Sequence, residues 1–215
     1  MSKKISPAII ASNKISKPLE DVVWLSKLAI EGRNGIVYTT GSAVSINPQT
    51  IYFLINGIIR LYREEGDFLL HMIESPSILG ITGMFYPTKL KLYLHCETDC
   101  EFILMNTDEF YFMVEQTNSW KNISNILANY LITSLESNQR VLQKGAYPII
   151  RRLILEYSNL SEQARERMPL YAYIVKRSGL SRSGVMDIIS VLNRRGYIRT
   201  CKGYLLDIVE IPTQL

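Results

Sequence analysis

The sequence predicts an α+β protein with a β-rich half, a long helix and a C-terminal half of short helices and strands. From Ile36 to Asn106, short apolar runs alternate with turn clusters about every ten residues, a spacing typical of an antiparallel sandwich or barrel. From Ser119 to Lys144, apolar residues recur at helical spacing. From Leu170 to Ile208, two short helical patterns precede two short apolar strands. The predicted domains are 1–117 (with an N-terminal arm and helix), 118–146 (the long helix) and 147–215.

Within the β-rich half, the clearest strand pair is Ile51 to Tyr62, which we expect to form a hairpin turning at Asn56-Gly57. An amphipathic pattern predicts a helix at 19–31 before this region. A second predicted helix, 107–117, follows it and begins with acidic residues that suit a helix start.

The stretch 170–200 predicts a helix-turn-helix. Val185, Ile188, Ile189 and Leu192 fall on one helical stripe, so one face of this second helix is apolar. Ser181 stands where an N-cap belongs, and Gly179 permits the sharp turn before it. We therefore predict a recognition helix at 181–193.

A β-hairpin after this helix predicts a wing, since Gly196 ends the helix and two short strands flank Lys202-Gly203. A short helix with a small, polar outer face is what a DNA major groove admits. The alternative is an αα-hairpin and β-hairpin without a nucleic-acid role. The candidate DNA-binding residues are Ser181, Arg182, Ser183, Met186, Asp187, Ser190, Arg194, Lys176, Arg177 and Lys202.

The charge distribution agrees with double-stranded DNA as a partner. Of the 24 Lys and Arg and the 20 Asp and Glu, residues 147–215 hold 11 and 6, a balance of +5, whereas residues 1–146 hold 13 and 14, a balance of −1. Basic side chains release counterions from DNA phosphates, which supplies affinity independent of sequence. A solvated basic surface would give the same counts.

The long helix is a candidate dimer interface, because its apolar residues step by four and widen into a broad face. Helix-turn-helix proteins commonly pair to bind two half-sites, which favours a homodimer. The alternative is that this stripe only covers its own β domain. The candidate interface residues are Ile123, Leu127, Tyr130, Leu131, Leu135 and Leu142.

Other protein classes find little support in the sequence. No apolar run approaches the roughly 18 residues of a transmembrane helix, and polar residues interrupt any signal-peptide core, so we expect a cytoplasmic protein without a membrane partner. Common catalytic motifs such as the P-loop and H-E-x-x-H are missing, so we do not expect an enzyme. The 3 cysteines are too few for a disulfide framework.

The order of these parts resembles the CRP/FNR family of bacterial transcription regulators. The resemblance rests on YFLINGIIRLY, Leu79-Gly80 and TDCEFILMNTDEF in the first half, and on GLSRSGVMDIISVLNRRGYI in the second. It implies a cyclic-nucleotide-binding-like β-roll (a jelly roll), a dimerisation helix and a winged helix-turn-helix. The segments SRS, GYI and KG resemble more narrowly the IprA-type winged-helix subgroup, which implies stress-linked regulation, in particular of oxidative stress.

Two departures from the family pattern concern ligands. Ile81 stands where nucleotide-binding members have Glu, and Leu90-Lys91 stands at the position of the phosphate-binding Arg. A phosphate would lose its bidentate partner, so we predict no response to cAMP; Lys89 or Lys91 could supply only a less directional charge. The β-roll ligand stays unknown.

We predict no cofactor. The iron–sulfur members need four cysteine ligands, which one chain of this protein lacks. The two histidines, His71 and His95, do not exclude haem but favour a structural role. Cys96 and Cys100 are redox candidates that flank a predicted hairpin turn. A two-residue turn would place them on opposite faces, which makes a direct disulfide doubtful, and nearby carboxylates would raise their pKa values.

The recognition face also departs from the family. Arg182 matches the family's first Arg, whereas Ser183 replaces its Glu and Asp187 replaces its second Arg. Arg can bind guanine through two hydrogen bonds, but Asp can only accept one, for example from cytosine N4. The leading hypothesis is a homodimeric DNA-binding regulator. The alternative is a protein-interaction or small-molecule-sensing module that kept the fold with weak or no specific DNA binding.

Overall fold

The computed structural model describes residues 18–86, 89–138 and 145–215, without the side chains of residues 136–138. These residues form two compact units, 18–130 and 131–215. The N-terminal arm was predicted over residues 1–20, and its residues 1–17, like Leu142, lie outside the described residues.

The first unit contains two antiparallel four-stranded sheets. One has the strand order β1-β8-β3-β6 and the other β2-β7-β4-β5. The strands are β1 (Ile36–Tyr38), β2 (Ala43–Ser45), β3 (Thr50–Asn56), β4 (Ile58–Arg63), β5 (Phe68–Glu74), β6 (Ser77–Leu79), β7 (Leu92–Cys96) and β8 (Cys100–Asn106). The prediction of an antiparallel sandwich is confirmed.

The prediction of a hairpin between β3 and β4 is wrong, because these strands belong to different sheets. Tyr52 in β3 pairs with Leu79 and Leu104, whereas Ile59 in β4 pairs with Ile73 and Cys96. Asn56-Gly57 is therefore a corner between the sheets. At this corner Gly57 has a φ of +111°, and a Cβ on it would meet the Cys100 Sγ at 2.6 Å. Only glycine fits this corner without strain.

The helices of the first unit cover one sheet. They are α1 (Leu19–Ile30), the 3₁₀ turn Ile81–Met84, α2 (Thr107–Gln116) and α3 (Trp120–Asn138), which continues into the second unit. Asn106 caps α2 by accepting a hydrogen bond from the Asp108 N–H at 2.9 Å. One apolar core lies between these helices and strands β3, β6 and β8, and a second core fills the space between the two sheets.

The second unit packs helices against a two-stranded antiparallel ribbon. Its helices after α3 are α4 (Ala146–Ser158), α5 (Glu162–Glu166), α6 (Leu170–Ser178) and α7 (Arg182–Arg194), and its strands are β9 (Ile198–Cys201) and β10 (Tyr204–Ile208). Ser181 caps α7 by accepting a hydrogen bond from the Gly184 N–H at 3.3 Å. Gly179 ends α6 at a φ of +70°, which allows the turn into α7.

The apolar face of α7 forms part of the core of this unit. Val185, Ile189 and Leu192 are buried, as the helical stripe predicted, and Ile188 is half-buried. The same unit also buries Ile198 and Leu205 of the ribbon. The buried apolar residues of α4 and α6 are Ile150, Leu153, Ile154, Tyr157, Leu170, Tyr173 and Ile174. Burying one face of α7 leaves its opposite face to solvent.

Candidate nucleic-acid interface

The solvent face of α7 carries most of the side chains expected to bind DNA. Exposed residues recur along this face, so they form one stripe over about three helical turns. A further exposed residue, Lys202, lies in the turn of the ribbon, and Lys176 of α6 is half-buried. The exposed predicted residues of α7 and its cap are Ser181, Arg182, Ser183, Met186, Asp187, Ser190 and Arg194.

Arg177 is a correction to the predicted set, because it is buried, with 6% of its surface exposed. Its Nη2 lies 2.7 Å from the Glu156 Oε2, and Arg152 Nη1 lies 3.3 Å from the Oε1 of the same carboxylate. Burial, reinforced by repulsion from Arg177, lowers the pKa of Arg152, although Glu156 opposes this effect. We therefore remove Arg177 from the candidate interface.

Arg182, at the start of α7, lies against an aromatic ring of α6. Its guanidinium carbon is 4.9 Å from the centroid of the Tyr171 ring, a cation–π distance. Tyr171 was not among the residues predicted from the sequence, because ring stacking between different helices leaves no spacing pattern.

The ribbon is fixed to the end of α7 by Asn193. The Asn193 side chain accepts a hydrogen bond from the Thr200 N–H at 3.1 Å and donates one to the Thr200 hydroxyl at 2.5 Å. Lys202 and Gly203 have φ values of +50° and +88°, as a two-residue type I′ turn requires. Arg199 and Asp207 form an ion pair across the two strands. The ribbon therefore has the geometry of a wing and presents Lys202 at its tip.

The positions that bind nucleotide in the resembling family differ here in structure as well as in sequence. Ile81 is 1% exposed and belongs to the apolar core beneath α1, so it presents no polar group. Gly80 has a φ of +92°, and a Cβ there would lie 2.5 Å from the Thr50 carbonyl oxygen. Leu90 is 57% exposed. Neither Ile81 nor Leu90 offers a side-chain donor for a ribose or phosphate oxygen.

The cysteine geometry corrects our expectation of opposite faces. Cys96 ends β7 in one sheet and Cys100 begins β8 in the other, and both thiols are buried in the core between the sheets. Burial, together with the neighbouring Cys100, raises the pKa of Cys96 to about 12. A buried thiol kept in its neutral form is a poor nucleophile, so this environment disfavours the reaction of Cys96 with peroxide.

His95, another candidate ligand, also has a partner within the first unit. His95 Nδ1 lies 2.7 Å from Glu97 Oε1, and Glu97 also forms an ion pair with Arg60. Across the described residues, no group of three or more His, Cys, Asp and Glu side chains could hold a metal ion. Among those same residues, no helix is both long and apolar enough to cross a bilayer.

The predicted dimer stripe of α3 divides between two environments. Ile123 is 1% exposed and Leu127 packs against the same core, while the Tyr130 hydroxyl donates a hydrogen bond to the Ile78 carbonyl at 2.5 Å. For Ile123 the dimer assignment is therefore corrected, since it covers its own β domain. Further along, Leu131 and Leu135 are 60% and 56% exposed.

Comparison with known proteins identifies the type of C-terminal domain and the fold of the chain. Residues 146–213 match the family of winged helix-turn-helix DNA-binding domains. The c-di-GMP-responsive global regulator CLP of Xanthomonas campestris superposes with a TM-score of 0.65 at 14% identity, covering 88% of this chain and 100% of that chain. A CRP/FNR-family transcriptional regulator of Thermus thermophilus gives a TM-score of 0.60 at 19% identity, covering 81% and 94%. The chain has the fold of CRP/FNR transcription regulators, with a C-terminal winged helix, so the predicted fold class is confirmed.

By sequence, the chain is similar to proteins named "Inhibitor of hydrogen peroxide resistance". The protein of this name from Escherichia coli K12 is 26% identical over 170 residues, which cover 79% of this chain and 81% of the relative. The one from Salmonella typhimurium is 22% identical over 205 residues, covering 93% and 98%. These relatives support the predicted resemblance to the IprA-type subgroup, and the two solved structures named above, which share the fold, are described as regulators.

Proposed function

We propose that this protein is a homodimeric, sequence-specific regulator of transcription that acts in the response to oxidative stress. One observation carries the proposal: α7 buries Val185, Ile189 and Leu192 and leaves a small, polar stripe exposed, with a wing following directly. A helix of this kind fits the major groove, and the wing lies where it can contact the phosphate backbone. Binding to chromosomal DNA would place the protein in the cytoplasm.

The exposed residues take two kinds of role in this proposal. Arg182 reads a base edge, because its guanidinium can donate two hydrogen bonds to guanine O6 and N7. Ser181, Ser183, Lys176 and Lys202 orient the protein on the phosphates, which gives affinity but no sequence preference. The remaining α7 residues of the stripe, which face the same groove, are Met186, Asp187, Ser190 and Arg194.

A substitution at Asp187 distinguishes two possibilities, an operator of unusual sequence and weak binding to all DNA. Its carboxylate is exposed on the recognition face, where it repels phosphates and can accept a hydrogen bond from cytosine N4. If Asp187 reads cytosine, Asp187→Ala lowers affinity for the preferred sequence and relaxes one base position. If it only repels phosphate, the same variant strengthens binding to all duplexes alike.

The homodimer is supported by the exposed second part of α3. Leu131, Ile132 and Leu135 are 60%, 45% and 56% exposed and lie within about one helical turn of each other. A second copy of the helix would remove this apolar surface from water. Two paired recognition helices could then contact two half-sites about one DNA turn apart.

The stress link and the lack of a cAMP response have separate support. The stress link rests on the relatives, whose names refer to hydrogen peroxide resistance. The lack of a cAMP response rests on the buried Ile81 and the exposed Leu90 at the positions that bind ribose and phosphate in the resembling family. Adding cAMP to the purified protein should therefore leave DNA affinity unchanged, which a titration followed by gel shift can measure.

A genome-wide binding map, followed by gel shifts on the recovered fragments over a range of salt concentrations, tests the proposal. A specific footprint whose affinity falls steeply with salt is the expected result, since phosphate contacts release counterions. The second candidate function is a protein-interaction module with this fold, which Asp187 on the recognition face favours. Fragments bound no better than random duplexes would support that alternative.

A further inference from the structure

Tyr171 lies at the junction of the two elements that we expect to contact DNA. On one side, its ring centroid is 4.9 Å from the guanidinium carbon of Arg182, the first residue of α7. On the other side, the wing turn approaches it, since a Cβ on Gly203 would lie 3.9 Å from the Tyr171 ring atoms Cδ1 and Cε1. The Leu170 N–H also donates a hydrogen bond to the Gly203 carbonyl at 2.9 Å, which fixes the wing turn against the start of α6.

This stacking leaves the donors of Arg182 available. The guanidinium carries five N–H donors, and a contact with one face of a single ring cannot engage all of them, so donors remain for a base edge. An exposed arginine otherwise samples many rotamers, and fixing it on binding costs free energy. A ring that holds the guanidinium before DNA arrives reduces that cost and sets the direction of the hydrogen bonds.

We propose that Tyr171 is a positioning residue for base recognition: its ring orients the Arg182 guanidinium for one base pair. The proposal rests on the proposed DNA-binding function and deepens it. Tyr171 itself need not touch DNA. Its effect on sequence preference is therefore transmitted through Arg182.

Two substitutions separate ring stacking from simple packing. Tyr171→Phe keeps the ring and should keep the sequence preference. Tyr171→Leu keeps apolar volume but removes the π face, so the preference at the base pair contacted by Arg182 should fall about two- to fivefold, the factor that corresponds to an exposed cation–π contact. Circular dichroism checks that each variant is folded, and Tyr171→Met serves the same comparison if the leucine variant does not fold.

The experiment selects duplexes from a library of randomised DNA with the full-length protein and compares the enriched sequences. Tyr171→Leu should weaken the preference at the same position as Arg182→Ala, and it should add nothing in the Arg182→Ala background. In an Arg194→Ala background, used as the matched control, its full effect should persist. A loss spread equally over all positions, or an additive loss in the Arg182→Ala background, overturns the positioning role. If the unaltered protein enriches no motif, the proposed function fails, and the role of Tyr171 fails with it.

Discussion

The shared carboxylate of Glu156 should stabilise the winged-helix unit, and Glu156→Gln tests this. Glu156 lies between Arg177, whose side chain is 4% exposed, and Arg152, whose side chain is 22% exposed. Removing its charge leaves the Arg177 guanidinium buried without a counter-ion. Breaking a buried pair in this way costs about 3–5 kcal/mol, and we expect about 3 kcal/mol because Glu156 itself is 30% exposed.

Thermal unfolding followed by circular dichroism measures this loss. For a chain of this size, about 3 kcal/mol lowers the midpoint by roughly 6–12 °C. Glu166→Gln is the matched control, because Glu166 is exposed on α5, and it should shift the midpoint little. The double variant Glu156→Gln, Arg177→Met should recover much of the loss, since it removes the unpaired buried charge as well.

The same variants test whether Arg177 contacts DNA. Arg177→Met in a folded protein should leave the slope of DNA affinity against salt unchanged, because the side chain is enclosed by its own domain. A shallower slope with a normal melting temperature would show that Arg177 neutralises a phosphate. A melting temperature unchanged by Glu156→Gln would refute the structural role of the ion pairs.

Three further predictions concern the recognition helix, the proposed dimer and the thiols. Arg182→Ala should cost about 1–3 kcal/mol at one base position and little elsewhere, and an unchanged profile in a selection from random duplexes would contradict its role. Leu131→Glu should convert a dimer to a monomer in sedimentation velocity, whereas Gln116→Glu, an exposed control on α2, should not; a monomer before any substitution would contradict the dimer. The folded state raises the pKa of Cys96 from 9.0 to about 12, because burial favours the neutral thiol. The stability that this neutral thiol contributes should therefore be present below pH 9 and lost as pH rises toward 12. At neutral pH, iodoacetamide should therefore label the exposed Cys201 well before the buried Cys96, which mass spectrometry of the labelled peptides can follow.

The helix-turn-helix was predictable because its signals are local. The cap at Ser181, the turn at Gly179 and the stripe from Val185 to Leu192 all lie within one short stretch, and each specifies the same geometry. The wing was predictable for the same reason, since Lys202-Gly203 forms a two-residue turn between strands that pair with each other.

The corners of the β-roll were not predictable from local signals. Asn56-Gly57 has the composition of a hairpin turn, yet β3 and β4 pair with partners far along the chain. The same error affected Cys96 and Cys100, whose strands lie in different sheets, so alternation along a hairpin did not apply to them. Turn composition shows that the chain changes direction, but the pairing partner depends on the whole domain.

The roles of charged residues near the recognition helix also depend on contacts that the local sequence does not show. Lys176 and Arg177 are neighbours in the sequence, and both looked suited to phosphates. Arg177 turns inward because Glu156, on α4, provides a half-buried partner 21 residues earlier. Tyr171 was missed for the corresponding reason, since its contact with Arg182 depends on how α6 crosses α7.

The division of α3 follows from helix geometry. An α-helix advances about 100° per residue, so a step of four residues turns about 40° beyond a full circle. Three such steps from Ile123 to Leu135 rotate the apolar stripe by about 120° around the helix axis. A stripe that begins against the β domain must therefore leave it, and Ile123 is buried whereas Leu135 is exposed. Because the step is a constant four residues, the first turns of α3 close the core of the β-roll, and its later turns present the apolar face that we propose a second chain covers.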